Sequence, residues 1–277
     1  MKVPATPGLE LNPGPVINLL SDFLREEAAR AGFKRLVLGL SGGIDSAVAL
    51  ELAARALGPR KVTAILMPYK ASSPASLKDA LLCAKKLKVK TRTVEITPMI
   101  DAYFAGRPPS PHRMGNKMAR ERMSILFDAS QELGALVVGT SNKTEILLGY
   151  GTWYGDLASA LNPLGDLYKT QVRQIAQALK VPLSVRKKAP SADLVPGQTD
   201  EGDLGHEYPV LDAILYRLVD QRLPPSEVLE EGWPKRTVDF ALLRLRTQQF
   251  KRRLPVIAKI SERTVGPDFR YARDWGT

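Results

Sequence analysis

The apolar residues of this 277-residue chain fall into short runs that alternate with longer helical stripes. Residues 16–31 carry apolar side chains at helical spacing and stop at Gly32, where a helix commonly ends. "RLVLGL" (35–40) is almost wholly apolar, as suits a strand buried on both faces. Helical periodicity returns at 44–57 and is cut by Gly58-Pro59. "KVTAILM" (61–67) reads as a second strand, "PASLKDALLCAKKL" (74–87) as a helix and "KTRTVEI" (90–96) as a third strand. A helix over 116–133 leads into a fourth strand, "ALVVGT" (135–140). Such alternation predicts an α/β fold: a doubly wound, mostly parallel sheet with helices on both faces.

The remainder, from about 208, reads as helices broken at prolines, so the expectation is one domain over 1–277 with a mainly helical C-terminal part. Two stretches rich in Pro, Gly and polar residues, 104–116 and 187–209, are predicted to be loops that act as lids.

Composition narrows the setting. No run of about 18 apolar residues exists to span a membrane, and the N-terminus lacks the apolar core of a secretory signal. Cys83 is the sole cysteine, which excludes an intrachain disulfide and fits a reducing, cytoplasmic setting. It falls in a helical pattern among Leu81, Leu82 and Leu87, where core packing is its expected role. The 40 Lys and Arg against 29 Asp and Glu give a net charge of +11, which favours an anionic partner: nucleic acid or a polyphosphate substrate.

The chemistry centres on Gly39-Leu40-Ser41-Gly42-Gly43-Ile44-Asp45-Ser46, where the first strand hands over to a helix. Backbone N–H groups and the positive end of a helix dipole meet at such a turn. Adjacent glycines allow an anion to approach the backbone, and Ser41 and Ser46 are candidate hydroxyl donors. Asp45 would repel a bare phosphate, so its presence points to Mg²⁺. No lysine follows the glycines as the Walker loop requires, and the dinucleotide G-x-G-x-x-G spacing is absent here.

S-G-G-x-D-S after a strand resembles the pyrophosphate loop of the N-type ATP pyrophosphatases, whose fold is that of the adenine nucleotide alpha hydrolases. Further motifs narrow the resemblance: "GNKMARERM" (115–123), "VVGTSNKTE" (137–145), "GYGTWYGDLASALNPLGDLYKTQV" (149–172), "KKAPSADLVPGQTDEGDLG" (187–205) and "FKRRLP" (250–255). Their order and spacing are similar to those of the NAD synthetases. That resemblance implies ATP-dependent amidation of nicotinate adenine dinucleotide (deamido-NAD) by ammonia, through an adenylated intermediate, with release of AMP and pyrophosphate. It implies ATP contacts from Gly39 to Ser46 and from Thr140, Lys169 and Ser191, and a Mg²⁺ site at Asp45 and Glu145. It also implies dinucleotide contacts from Arg120, Trp153 and Lys251, with Asp45 and Lys169 in the catalytic apparatus. Asp156, in a glycine-flanked turn beside the substrate segment, is the candidate to hold ammonium and take its proton.

Ammonia-dependent members typically carry lysine and aspartate where this chain has Trp153 and Ala160, and histidine where it has Phe250. "GTWYGD" and "FKRR" look closer to the synthetase halves of glutamine-dependent members. The chain has no room for their amidase domain, so ammonia is expected directly or from a separate glutaminase. The family resemblance further implies a homodimer. A tRNA-modifying ATP pyrophosphatase is the alternative reading, although the paired cysteines of sulfur insertion and a basic accessory domain are both missing from the sequence.

Overall fold

The computed structural model describes residues 6–191, 199–253 and 255–265. Four parallel strands form its sheet: β1 (Leu36–Gly39), β2 (Val62–Leu66), β3 (Lys90–Thr93) and β4 (Leu136–Val137). The strand order is β3-β2-β1-β4, so the chain winds outward from β1 in one direction and then crosses to its other side.

Alternation along the strands decides which helices cover which face. Leu36 and Leu38 of β1, with Val62, Ala64 and Leu66 of β2, point into a core formed with α1 (Pro13–Arg30), α2 (Ile44–Leu57), α3 (Pro74–Leu87) and α7 (Lys169–Ala178). Val37 and Ile65 point the opposite way, onto α4 (Thr97–Phe104) and α5 (Pro111–Leu133). The predicted doubly wound architecture is therefore present. Cys83 is buried in the first of these cores.

A third apolar cluster joins α6 (Lys143–Leu148) to α10 (Tyr208–Leu215), α11 (Pro225–Glu230) and α12 (Lys235–Thr247), with Trp233 packed inside it. Two short helices, α8 (Leu183–Lys187) and α9 (Asp200–Leu204), precede this part. None of the helices among the described residues is long and apolar enough to cross a membrane.

The lid expectations change. Residues 111–116 are not loop but the opening of α5: Pro111 occupies its first turn, and the Ser110 hydroxyl caps it by accepting the Arg113 N–H. A proline at N1 lacks only an N–H that would have no helical partner anyway. The connection from α4 to α5 shrinks to 105–110. Within 187–209, helix α9 occupies Asp200–Leu204 and Tyr208 begins α10, while 192–198 lie outside the described residues.

Candidate active site

Parallel sheets bind ligands at the carboxyl ends of their strands, where the strand order reverses. Here the reversal lies between β1 and β4, and a crevice of about 1490 Å³ opens at that edge. The turn after β1 brings Asp45 to it on the first turn of α2, and the turn after β4 brings Glu145 on α6.

Lys169 opens α7 between them. Its Nζ lies 2.6 Å from Asp45 Oδ2 and 3.1 Å from Glu145 Oε1, and the residue is 1% exposed. Burial opposes the charge on Lys169, but Asp45, Glu145 and Asp200 outweigh it and raise its pKa. Burial likewise raises the Glu145 carboxyl well above the usual carboxylate range, against the pull of Lys169 and with the help of Asp45.

Local chemistry fixes both carboxylates. Asn142 and Glu145 form a capping box: Asn142 Oδ1 accepts the Glu145 N–H at 3.0 Å, and Glu145 Oε2 accepts the Asn142 N–H at 3.3 Å. Asn142 Nδ2 then donates to Asp45 Oδ1 at 3.0 Å, tying the two loops together. Beneath them, Asp212 on α10 accepts the Thr144 hydroxyl at 2.5 Å and the Thr170 N–H at 2.8 Å. Thr144 Oγ1 accepts the Lys169 N–H at 3.0 Å. Desolvation pushes the Asp212 carboxyl up to about 6 despite these donors.

The glycine-serine turn differs from a simple ring of donors. Gly42 has φ +80°, and a Cβ there would lie 2.1 Å from Ser76 O, so this glycine faces α3 rather than the crevice. The Ser46 hydroxyl donates to Gly43 O at 3.0 Å, and Ser41 Oγ accepts the Gly43 N–H at 3.2 Å. The two serines brace the turn and are not idle donors. What the turn offers an anion is the first turn of α2, which carries no side-chain cap.

The rest of the stretch from Gly39 to Ser46 borders the crevice, as do Thr140, Glu145, Asp156, Lys169, Ser191 and Lys251. Asp156 opens onto it, yet the surrounding protein desolvates its carboxyl and raises the pKa; Oδ1 accepts the Thr152 N–H at 2.7 Å. Lys251 Nζ donates to the carbonyls of Gly149 and Gly151, each at 2.8 Å, and so braces the turn that carries Asp156. Arg120 and Trp153 stand apart from the crevice. Exposed Arg120 donates to Trp153 O at 3.3 Å, while the Trp153 ring stacks on Tyr154 at 4.5 Å and meets Phe250 edge-on at 5.3 Å. This aromatic packing turns Trp153 into a separate cavity of about 340 Å³, shared with Arg246 and Arg253. Arg120 and Lys251 thus both bond the 149–153 turn that carries Trp153, with Lys251 alone of the three expected dinucleotide residues bordering the crevice.

Sequence reading missed Asn142, Tyr150 and Asp200. The hydroxyls of Tyr150 and Tyr208 lie 3.1 and 3.2 Å from the two oxygens of the buried Asp200 carboxylate. The N-x-x-E spacing of Asn142 and Glu145 was a visible signal, whereas Asp200 lay within the 187–205 motif with nothing to single it out.

Fold and site together define an α/β nucleotide-binding enzyme, with an uncapped helix N-terminus, two carboxylates and a buried ammonium at one sheet edge. The NAD synthase family model matches residues 16–255, and the chain belongs to that family. An NH(3)-dependent NAD(+) synthetase from Trichlorobacter lovleyi is 55% identical over 269 residues, covering 97% of this chain and 98% of the relative. The solved NH3-dependent NAD synthetase of Campylobacter jejuni superposes with a TM-score of 0.78 at 34% identity, covering 90% of this chain and 100% of that one. An NMN synthetase from Francisella tularensis gives a TM-score of 0.80 at 30% identity, covering 90% and 99%. Membership in this family favours amidation over the tRNA-modifying alternative.

Proposed function

We propose that the chain amidates the nicotinate carboxylate of deamido-NAD with ammonia, at the expense of ATP. The observation that carries this reading is the Asp45–Lys169–Glu145 cluster beside the uncapped start of α2. A carboxylate is a poor acyl electrophile, so its oxygen first attacks the α-phosphorus of ATP and pyrophosphate leaves. Ammonia then attacks the carbonyl carbon and AMP leaves. No protein nucleophile is needed: positioning and charge neutralisation supply the rate. The α2 N–H groups and Lys169 face the departing pyrophosphate, with Thr140 and Ser191 bordering the nucleotide.

Asp45 and Glu145 suit Mg²⁺, which takes one or two carboxylates and completes its shell with phosphate oxygens and water. Both are hard oxygen donors, each 15–16% exposed towards the crevice, and no larger cluster of metal-binding side chains occurs among the described residues. Bound there, the ion would neutralise phosphate charge. Asp156 holds ammonium by charge and accepts its proton. Buried Cys83, its thiol pushed up to about 11 by desolvation, leaves the chain without a candidate amidase nucleophile. In this reading ammonia enters from solution or from a separate glutaminase of the cytoplasm. A symmetric homodimer completes the reading, for which the exposed Met99, Tyr103 and Phe127 on α4 and α5 offer an apolar face.

Purified chain with ATP, Mg²⁺, ammonium and deamido-NAD should yield NAD with stoichiometric AMP and pyrophosphate. Turnover of nicotinate mononucleotide in preference to deamido-NAD, or ATP cleavage that depends on tRNA, would overturn the reading.

A further inference from the structure

We propose that Lys188 is a second ammonium contact for the ATP polyphosphate, acting from the opposite side of the loop to Lys169; this rests on the ATP-dependent reading above. A chain of contacts places it there. Gly42 sits so close to Ser76 that a Cβ would meet the Ser76 carbonyl, and the Ser76 hydroxyl accepts from Lys188 Nζ at 2.7 Å. The Lys188 ammonium therefore lies beside the loop that receives the phosphates, and both Ser76 and Lys188 border the same crevice.

Its present partners hold it weakly. Ser76 offers a neutral hydroxyl, and the nearer carboxylate, Asp79, is 3.7 Å away with Oδ1 already bonded to Ser184 Oγ at 2.7 Å. The Asp79–Ser184 bond fixes α8 against α3 and so sets where residue 188 emerges. Lys169, by contrast, shares its charge between two carboxylates before any ligand arrives. The other crevice cations lie elsewhere: Arg122 donates to Met67 O, Arg244 to Leu148 O, and Lys251 to the 149–151 turn. A polyphosphate at the α2 N-terminus meets neutral N–H groups and a lysine shared by two carboxylates, and Lys188, with one carboxylate at 3.7 Å, brings a less fully compensated charge to the same loop. The β- and γ-phosphates, which leave together as pyrophosphate, are the groups it would hold.

The test is ATP, AMP and inorganic pyrophosphate binding to the full chain by calorimetry with Mg²⁺ and no dinucleotide, alongside steady-state kinetics. Lys188→Met should weaken ATP and pyrophosphate by about 10- to 100-fold, the range of one charge-assisted hydrogen bond. AMP affinity and the KM for deamido-NAD should stay at their wild-type values, and Lys188→Arg should restore most of the ATP affinity. Equal ATP affinity in wild type and Lys188→Met overturns the contact, as does an equal loss for AMP, which would mark a structural role. ATP binding is read without the dinucleotide. A wild type that binds ATP but forms no NAD would therefore overturn the amidation reading alone, and the Lys188 effect on its ATP affinity would still support the contact.

Discussion

Asn142 and Asp45, 97 positions apart in the chain, are joined by a 3.0 Å hydrogen bond from amide to carboxylate. That bond closes a circuit, because the same amide side chain orients Glu145 through the capping box and Lys169 bonds both acids. The two acidic loops therefore behave as one unit, and disturbing any member should be felt at the others.

Lys169→Met tests the centre of this unit. The substitution leaves two carboxylates facing each other without their cation, at a cost of about 3–5 kcal/mol in stability. The NAD-forming kcat should fall by roughly 10²–10³-fold, the scale for losing one donor to developing charge. Denaturant melts and initial rates on the same preparation check both; a normal kcat would remove Lys169 from the chemistry.

Asp156→Asn separates the two chemical steps. Formation of the adenylated intermediate, followed by isotope exchange between pyrophosphate and ATP in the presence of deamido-NAD, should persist. The KM for ammonium should rise by about 10²-fold, within the range for a lost acid–base group. Unchanged ammonium dependence would assign Asp156 to the turn alone, where its carboxylate accepts the Thr152 N–H.

Asp212 predicts a pH dependence of stability. Its folded pKa, about 6, lies above the ordinary aspartate value of 3.8, so the folded state holds a proton that the unfolded chain releases first. Stability from this group is complete below about 3.8 and is lost as pH rises through about 6. Relative to Asp212→Asn, the wild type should lose about 2 kcal/mol between pH 4 and pH 7. Urea unfolding of both proteins across that window measures it, and a constant difference would mean that Asp212 titrates as it does in the unfolded chain.

Gly42→Ala should cost about 2–4 kcal/mol and weaken ATP binding, because the added methyl meets backbone at Ser76 while φ is +80°. Gly32→Ala is the matched control: its φ is +78°, but nothing lies within 4 Å of the added carbon. It should cost about 1 kcal/mol, the strain of the backbone alone. Equal losses at the two positions would show that conformation rather than the approach of α3 explains Gly42.

Helices α2 and α3 were read with their observed bounds because Gly58 and Pro74 punctuate strong apolar stripes. Helix α5 was read too short. Its polar, proline-bearing start looks like loop until Ser110-Pro111 is taken as a cap followed by N1. At the site, Asp45 was visible as an acid placed where a strand ends, and Glu145 through the family resemblance. The burial of Lys169 between them was not, since it depends on contacts spanning 124 and 24 positions. Asp200 was hidden for the same reason, and the stacking that turns Trp153 towards a neighbouring cavity is likewise not written in its sequence position.

The sole thiol of the chain is packed between α2, α3 and the sheet and is held almost entirely protonated at neutral pH. It should therefore resist maleimides and iodoacetamide in the folded protein. A cysteine introduced at the exposed Leu183 on α8 would then take up dye or spin label selectively. The native protein is in effect already prepared for site-specific spectroscopy, with a reporter position five residues before Lys188 and no background cysteine to remove.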